Sequence, residues 1–370
     1  MSEVEKKDFI TGRVVSIDAL RGFDMFLIIG GGAILASLDG IFGNSVTGFI
    51  AWQLEHAEWE GFRFEDIIMP LFLFIVGVVM PFSFSKRLAG GESKRSLYFH
   101  IIKRTAILFF LGMVAQGNLL DYDLSTFHIY SNTLQAIAVG YFVAAIVILN
   151  FKLLGQLVST AVFLLLFWGL MMLVPVPGHG VGVLTPEGNL AIYIDKLVFG
   201  QFQDGTHYTW LLSGLGFAAT TLLGVFGGEW LRSNHSSGAK VLGLAIGGAL
   251  CMAGGYLWGM WFPIIKHLWT SSFVLYSGGM CYVLLALFYL IIDVWGFGRW
   301  AFGFKVIGMN AIAVYMANMI FDFKLVGNIF IRGLSEQLGP WEDFVQRLAA
   351  FLVVWLIFWW MYRKRSFIKI

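Results

Sequence analysis

Residues 67–79 read IIMPLFLFIVGVV, an apolar run without a charged side chain. The run directly follows the ionisable stretch HAEWEGFRFED at residues 56–66. Continued to about 20 residues, such a run has the length needed to cross the roughly 30 Å hydrocarbon core of a bilayer. It therefore predicts a membrane-spanning helix that starts near Asp66, with a polar loop just before it.

The composition predicts that this helix is one of many. Hydrophobic residues make up 58% of the chain, charged residues only 13%, and the mean hydropathy is +0.77, far outside the range of soluble proteins. We expect an all-α polytopic bundle of about ten membrane spans that forms a single transmembrane domain over residues 1–370. The runs begin near Ala19, Asp66, Ile101, Asn132, Leu153, Tyr208, Ala239, Ser271, Lys305 and Phe344.

The distribution of Lys and Arg predicts the orientation of the bundle. Short cytoplasmic loops hold more of these cations than exported loops do. The cation-rich segments are 6–13, 86–104 and 363–369, and alternation of the spans places all three on one side. Both termini are therefore expected in the cytoplasm and His56 at the outer face. Residues 1–13 lack the apolar core and cleavage site of a signal peptide, so we expect them to be retained.

Charged residues and glycines mark the first span. Asp18, Arg21 and Asp24 recur every three residues and share one helix face, so the arginine can pair with either acid. They either anchor the helix by reaching to water or line a cytoplasmic entrance. Further along, Gly30, Gly31 and Gly32 permit close approach by another helix or by a thin ligand chain.

Basic residues follow the second span and include Arg87, Lys103 and Arg104. Such a cluster suits the phosphates of a nucleotide-containing donor. The same cations also fix topology and bind anionic membrane lipid, and both interpretations stay open. A phosphate-binding loop of the GxxxxGK type is missing from the sequence, so nucleotide hydrolysis is not predicted.

The histidines are scattered, without an HExxH or CxxC pattern, and we predict no metal site. His56 differs from the other histidines because it is predicted to lie at the edge of a membrane span. An ionisable group in such a position is costly, so a functional role is the default hypothesis. His179 and His207 lie in predicted outer loops and are candidates for the same mouth. Trp52 and Trp59 either form an apolar wall against a sugar ring or are ordinary interfacial tryptophans.

Four separated blocks resemble the heparan-α-glucosaminide N-acetyltransferase family, including bacterial members associated with N-acetylglucosamine metabolism. They read SIDALRG at 16–22, HAEWEG at 56–61 with Asp66 downstream, KHLWTSSF at 266–273 and GMNAIAVY at 308–315. The resemblance implies a bundle that takes acetyl-CoA from the cytoplasm and acetylates a glucosamine amine on the opposite side. It also implies a homodimer, here in a bacterial inner membrane, with an amino-sugar as substrate. No nucleic-acid partner is expected.

The resemblance implies roles for individual residues. His56 corresponds to the family's catalytic histidine. From its position at the start of the next span, Asp66 either orients this imidazole, binds the ammonium form of the sugar, or is an interfacial acid favoured there by the helix dipole. A family asparagine of the first span falls at or near Gly32, so its role is lost or supplied by another residue, and a later family histidine aligns with Asn318. The residues expected to bind the donor are Asp18, Arg21, Gly30, Gly31, Gly32, Arg87, Lys103 and Arg104. Those expected to bind the acceptor are Trp52, Trp59, Glu60, Lys266, Asn310 and Asn318.

Two mechanisms follow for acetyl transfer from a thioester. His56 acts as the base for direct attack by the amine, which we favour, or it carries the acetyl group itself. The acceptor is either a free amino-sugar or a larger envelope glycan. The rival function is a non-catalytic sugar carrier or sugar-binding membrane protein. Without a convincing internal repeat, the signature of many secondary transporters is missing, which disfavours that rival.

Overall fold

The protein is described by a computed structural model that covers residues 14–368. The expectations for residues 1–13, including the cations Lys6, Lys7 and Arg13, and for Lys369 lie outside the described residues. Over the described range the chain is helical and contains no strands, only two isolated β-bridges. The predicted all-α fold class is confirmed.

Within residues 14–368 there are sixteen α-helices, which we number in chain order. Short 3-10 or π-helical segments extend some of them, notably Leu27–Gly31 after α1, Phe64–Ile67 before α5 and Tyr289–Val294 after α12. The helices are α1 Val15–Phe26, α2 Gly32–Ala36, α3 Asp39–Phe42, α4 Ser45–Gln53, α5 Ile68–Ala89, α6 Lys94–Ala115, α7 Thr133–Asn150, α8 Leu153–Leu173, α9 Leu190–Phe199, α10 Ser213–Arg232, α11 Ser237–Gly259, α12 Ser271–Phe288, α13 Phe302–Gly308, α14 Ala311–Ile320, α15 Phe323–Ser335 and α16 Glu342–Arg363.

Eight helical segments of the described chain are long and apolar enough to cross a membrane. A ninth is formed if α13 and α14, which meet at a 76° bend, count as one broken span. The run predicted to begin near Tyr208, the sixth in chain order, corresponds to α10, a buried helix rich in glycine, serine and threonine that is not among these candidate spans. The chain is therefore a polytopic membrane bundle, with α10 as a less apolar helix inside it.

Helix α10 packs closely against α5 because glycines remove side chains from the contact. A Cβ atom added to Gly224 would overlap the carbonyl oxygen of Phe74, and one added to Gly228 would overlap that of Val78. On the facing helix, a Cβ at Gly77 would overlap the carbonyl oxygen of Thr221. Small residues allow membrane helices to approach backbone to backbone, and dispersion attraction between the closely packed atoms then holds the pair together.

This contact predicts that Gly224→Ala destabilises the bundle. The new methyl group has no space, and overpacking of this kind costs about 1–3 kcal/mol. Gly247→Ala in α11 is the matched control, since nothing lies within 4 Å of a Cβ placed there. Thermal unfolding in detergent should show a lower midpoint for Gly224→Ala and an unchanged midpoint for Gly247→Ala. Equal midpoints for the two variants would contradict the packing described.

The first span is broken where its glycines lie. Ile29 and Gly30 leave the helical region, and Gly30 has a φ of +111°, which residues with a Cβ rarely adopt. A Cβ at Gly30 would face open space, whereas one at Gly32 would lie 3.3 Å from the Oε2 atom of Glu65. The break therefore brings the first span against the loop and helix start that follow His56.

Candidate active site

The loop that carries His56 is held by a second loop far away in the sequence. The backbone N–H of Gly61 donates to the carbonyl of Ile264 at 2.8 Å, and Glu60 forms an isolated antiparallel bridge with Ile265. Gly61 has a φ of +111°, so a glycine suits this turn. The pairing places residues 56–66 directly against Lys266.

Asp66 is fully buried and uses both carboxylate oxygens. Its Oδ2 atom accepts from the backbone N–H groups of Ala57 at 3.2 Å and Arg63 at 3.0 Å. Its Oδ1 atom lies 3.0 Å from Nδ1 of His56 and 3.2 Å from Nζ of Lys266. Both carboxylate oxygens of Asp66 thus have partners within the protein, one of them the imidazole that Asp66 is expected to orient; its role in the reaction stays a prediction.

Lys266 completes this group, which we call the His56 cluster (His56, Asp66 and Lys266). It is 6% exposed, and its Nζ atom lies 3.0 Å from Nδ1 and 3.5 Å from Nε2 of His56. Burial lowers the pKa of Lys266, and the adjacent Asp66 carboxylate partly offsets that shift. The expectation for Lys266 was acceptor binding alone, whereas the structure also places it in contact with the histidine and its acid.

Nδ1 of His56 lies between two partners of opposite kind. It is 3.0 Å from an acceptor, Oδ1 of Asp66, and 3.0 Å from a donor, Nζ of Lys266. In the tautomer that donates from Nδ1 to Asp66, Nε2 keeps its lone pair. The His56 side chain is 49% exposed, in contrast to its two buried partners. A half-exposed imidazole bonded to a carboxylate through Nδ1, with Nε2 free to take a proton, is the arrangement that a general base requires.

Aromatic side chains lie beside the cluster. The Trp59 indole N–H donates to the carbonyl of Leu184 at 2.9 Å, and its ring stacks on His267 with centroids 5.1 Å apart. Tyr208 also contacts the His267 ring at 4.4 Å, and His207 meets the edge of Trp59 at 6.3 Å.

The other predicted outer residues have different surroundings. Trp52 is 47% exposed and lies 4.8 Å from the guanidinium of Arg63, so the two predicted tryptophans have different partners. His179 is exposed, and its backbone N–H bonds to the carbonyl of Val176. Glu60 contributes its backbone to the bridge with Ile265 while the residue stays exposed.

The environment of His267 predicts a pH-dependent stability. Burial, followed by the charge of Lys266, lowers the His267 pKa to about 4. A free imidazole titrates near 6.5, so between pH 4 and about 6.5 the unfolded chain binds more protons at this residue than the folded chain. Its contribution to stability is thus present above about pH 6.5 and is lost as the pH falls towards 4. His267→Phe, which keeps a ring beside Trp59, should flatten the rise of the unfolding midpoint between pH 4.5 and 6.5. An unchanged slope would contradict the assignment.

The far end of α5 carries the predicted donor-binding cations. An α-helix rises 1.5 Å per residue, so Arg87 lies about 30 Å along the chain from Asp66. Arg87 contacts Glu92 at 3.2 Å and His100 at 3.1 Å. Arg104 lies 4.6 Å from the ring of Tyr141, and its buried Nε–H has no hydrogen-bond partner in the described chain. Lys103 is exposed nearby.

The three charged residues of the first span differ in their contacts. Arg21 lies 3.8 Å from Asp18, so of the two candidate acids the structure shows its contact with Asp18. Asp24 is 0% exposed, and both its carboxyl oxygens lack a hydrogen-bond partner within the described residues. On the helix face predicted to be shared by these residues, Arg21 and Asp18 therefore form an ion pair, whereas Asp24 is a buried acid.

The two predicted asparagines occupy other parts of the bundle. The Asn310 side chain bonds to the backbone of Ser366 at 3.3 Å and of Ile368 at 3.0 Å, which ties the end of the chain to α14. Asn318 lines a cavity of about 470 Å³, together with Gly30 and Arg347. Their roles in substrate binding stay predictions.

Sequence reasoning gave no role to Glu65 or Tyr208. Tyr208 stands beside His267, where burial raises its pKa to about 12. For Glu65 a signal was present, because it precedes Asp66 in the stretch that also holds His56.

Across residues 14–368, no group of three or more His, Cys, Asp or Glu side chains is placed to hold a metal ion.

The fold and the site define a polytopic helical membrane protein with a cluster of three residues, in which a buried carboxylate and a buried lysine contact a half-exposed imidazole. The chain is 26% identical to heparan-alpha-glucosaminide N-acetyltransferase from Homo sapiens over 97% of its own length, and 25% identical to the Mus musculus protein of the same name over 86%. It spans 60% and 57% of the length of these two relatives. No protein-family model matches the chain. The two similarities confirm the family-level resemblance indicated by the four motif blocks.

Proposed function

We propose that this protein is a membrane N-acetyltransferase that moves an acetyl group from acetyl-CoA to the amine of a glucosamine-type sugar. The observation that carries the proposal is the His56 cluster, in which a buried carboxylate lies within hydrogen-bond distance of Nδ1 of a half-exposed imidazole. The names of the two relatives support the same chemistry. A sugar carrier has no need for an imidazole held in this way.

The proposed reaction is direct attack by the neutral amine on the thioester carbonyl. The new C–N bond forms while the carbonyl electron pair moves to oxygen, and Nε2 of His56 takes the proton that the nitrogen loses. The ammonium of Lys266, beside the ring, is the positive group available to stabilise the oxyanion. The C–S bond then breaks, and the imidazolium returns its proton to the departing CoA thiolate.

The donor is proposed to enter at the opposite end, near Arg87 and Arg104. The buried Nε–H of Arg104 lacks a hydrogen-bond partner among the described residues, and a phosphate oxygen is the acceptor that a guanidinium favours. We further propose that the Arg87 end faces the cytoplasm of a bacterial inner membrane and that the protein is a homodimer of single-domain subunits.

The proposal is tested by the release of free CoA thiol from purified protein supplied with acetyl-CoA and glucosamine. We expect release that depends on both substrates and a product with a new acetamide. No release above that of protein-free detergent would overturn the assignment.

The same preparation distinguishes the two routes. Rapid quenching after mixing with labelled acetyl-CoA alone should trap no stoichiometric acetyl-enzyme if the amine attacks directly. A full equivalent of acetylated His56, formed before acceptor is added, would establish the acetyl-histidine route instead.

A further inference from the structure

Two adjacent acids, Glu65 and Asp66, have opposite hydrogen-bonding states. Every bonding position of Asp66 is taken by His56, Lys266 and two backbone N–H groups. The Oε2 atom of Glu65, in contrast, is buried without any hydrogen-bond partner in the described chain. A buried carboxylate oxygen without a donor is costly, so a donor that binds there gains the full strength of a charge-assisted hydrogen bond.

Glu65 lies at the junction of the first span and the His56 loop. A Cβ at Gly32 would be 3.3 Å from Glu65 Oε2 and 3.6 Å from the side chain of Leu54, which precedes the loop. Glu65 is also within electrostatic reach of His56 and Lys266. Because position 32 carries no side chain, the first span approaches the Glu65 carboxyl group closely without giving it a hydrogen-bond donor.

Asp24 is a second acid near Glu65. It is completely buried, its two oxygens lack partners in the described part of the chain, and it interacts electrostatically with Glu65. Asp24 is the more deeply buried of the two, whereas Glu65 is only partly buried and has Lys266 nearby, so Glu65 is the acid that a substrate would meet.

We propose that Glu65 is the specificity-determining residue that binds the acceptor as a protonated amine, with its carboxylate as the counter-ion of the substrate ammonium. The inference rests on the proposed acetyltransferase function and names the class of acceptor: cationic primary amines rather than neutral alcohols. One proton of the bound ammonium passes to the Glu65 carboxylate. The neutral nitrogen then attacks the thioester carbonyl and gives its next proton to Nε2 of His56, as described above.

The experiment compares the binding of glucosamine and glucose, which differ only in the amine or hydroxyl at one ring carbon. Binding to purified full-length protein is measured by titration calorimetry, without acetyl-CoA. We expect the wild-type protein to bind glucosamine more tightly than glucose, and Glu65→Gln to reduce that preference about 10- to 100-fold, as for the loss of one hydrogen bond to a charged group. Glu65→Asp keeps the charge and should keep part of the preference.

Glu58→Gln is the matched control, because Glu58 is an exposed acid in the same loop. It should leave the preference for glucosamine unchanged. The proposal is overturned if Glu65→Gln, with an unfolding midpoint like that of wild type, retains the wild-type preference, or if Glu58→Gln loses it to the same extent. Binding requires no turnover, so a protein that prefers glucosamine through Glu65 but releases no CoA would refute only the acetyltransferase proposal.

Discussion

Replacing His56 by alanine is expected to lower the rate of CoA release from acetyl-CoA and glucosamine by a factor of about 10² to 10⁴, the range that a positioned general base contributes. The reason is geometric. The His56 side chain is half exposed and its Nδ1 atom lies 3.0 Å from Asp66, so Nε2 is the nitrogen proposed to take the proton. Without the imidazole, the amine loses its proton only to water.

The measurement is a thiol assay on purified variants at saturating acetyl-CoA, with the unfolding midpoint recorded for each. His179→Ala is the matched control, since His179 is also an exposed loop histidine and its bond to Val176 is made by the backbone. It should retain the wild-type rate. Undiminished CoA release by His56→Ala would remove the histidine from the mechanism and with it the main support for the proposed function.

The fold was predictable from the sequence because membrane helices are specified by local composition. Each span must be apolar over its own length, so residues 67–79 identify their helix without information from the rest of the chain. Helix α10 marks the limit of that reasoning. Its glycines and threonines pack closely against neighbouring helices. Its buried position is therefore determined by tertiary packing, which a hydropathy pattern does not reveal.

The candidate site was only half predictable, for a related reason. His56 and Asp66 are ten residues apart and were paired by sequence, but Lys266 is 210 residues from His56 and reaches it through the pairing of Gly61 with Ile264. That pairing depends on the tertiary fold. The split of roles between Asp66 and Glu65 was likewise hidden, since both are acids at the start of the same helix and only their hydrogen bonds distinguish them.

The His56 cluster also predicts a large effect on stability. Asp66→Ala should lower the free energy of unfolding by about 3–5 kcal/mol, the usual cost of removing one partner from a buried ion pair. The Lys266 ammonium, which is only 6% exposed, no longer has the Asp66 carboxylate at 3.2 Å. The backbone N–H groups of Ala57 and Arg63 also lose their acceptor. Unfolding by denaturant in mixed micelles, followed by tryptophan fluorescence, measures this loss.

A double variant separates the two roles of Asp66. In Asp66→Ala/Lys266→Met the uncompensated charge is gone and an apolar chain of similar length fills its place, so much of the lost stability should return. Catalysis should not return with it, because Nδ1 of His56 still lacks its carboxylate acceptor and the Lys266 ammonium proposed to stabilise the oxyanion is also gone. A double variant as unstable as Asp66→Ala would mean that the backbone N–H groups, rather than Lys266, dominate the loss. A double variant with wild-type turnover would show that orientation by Asp66 is dispensable and that the imidazole acts without a fixed tautomer.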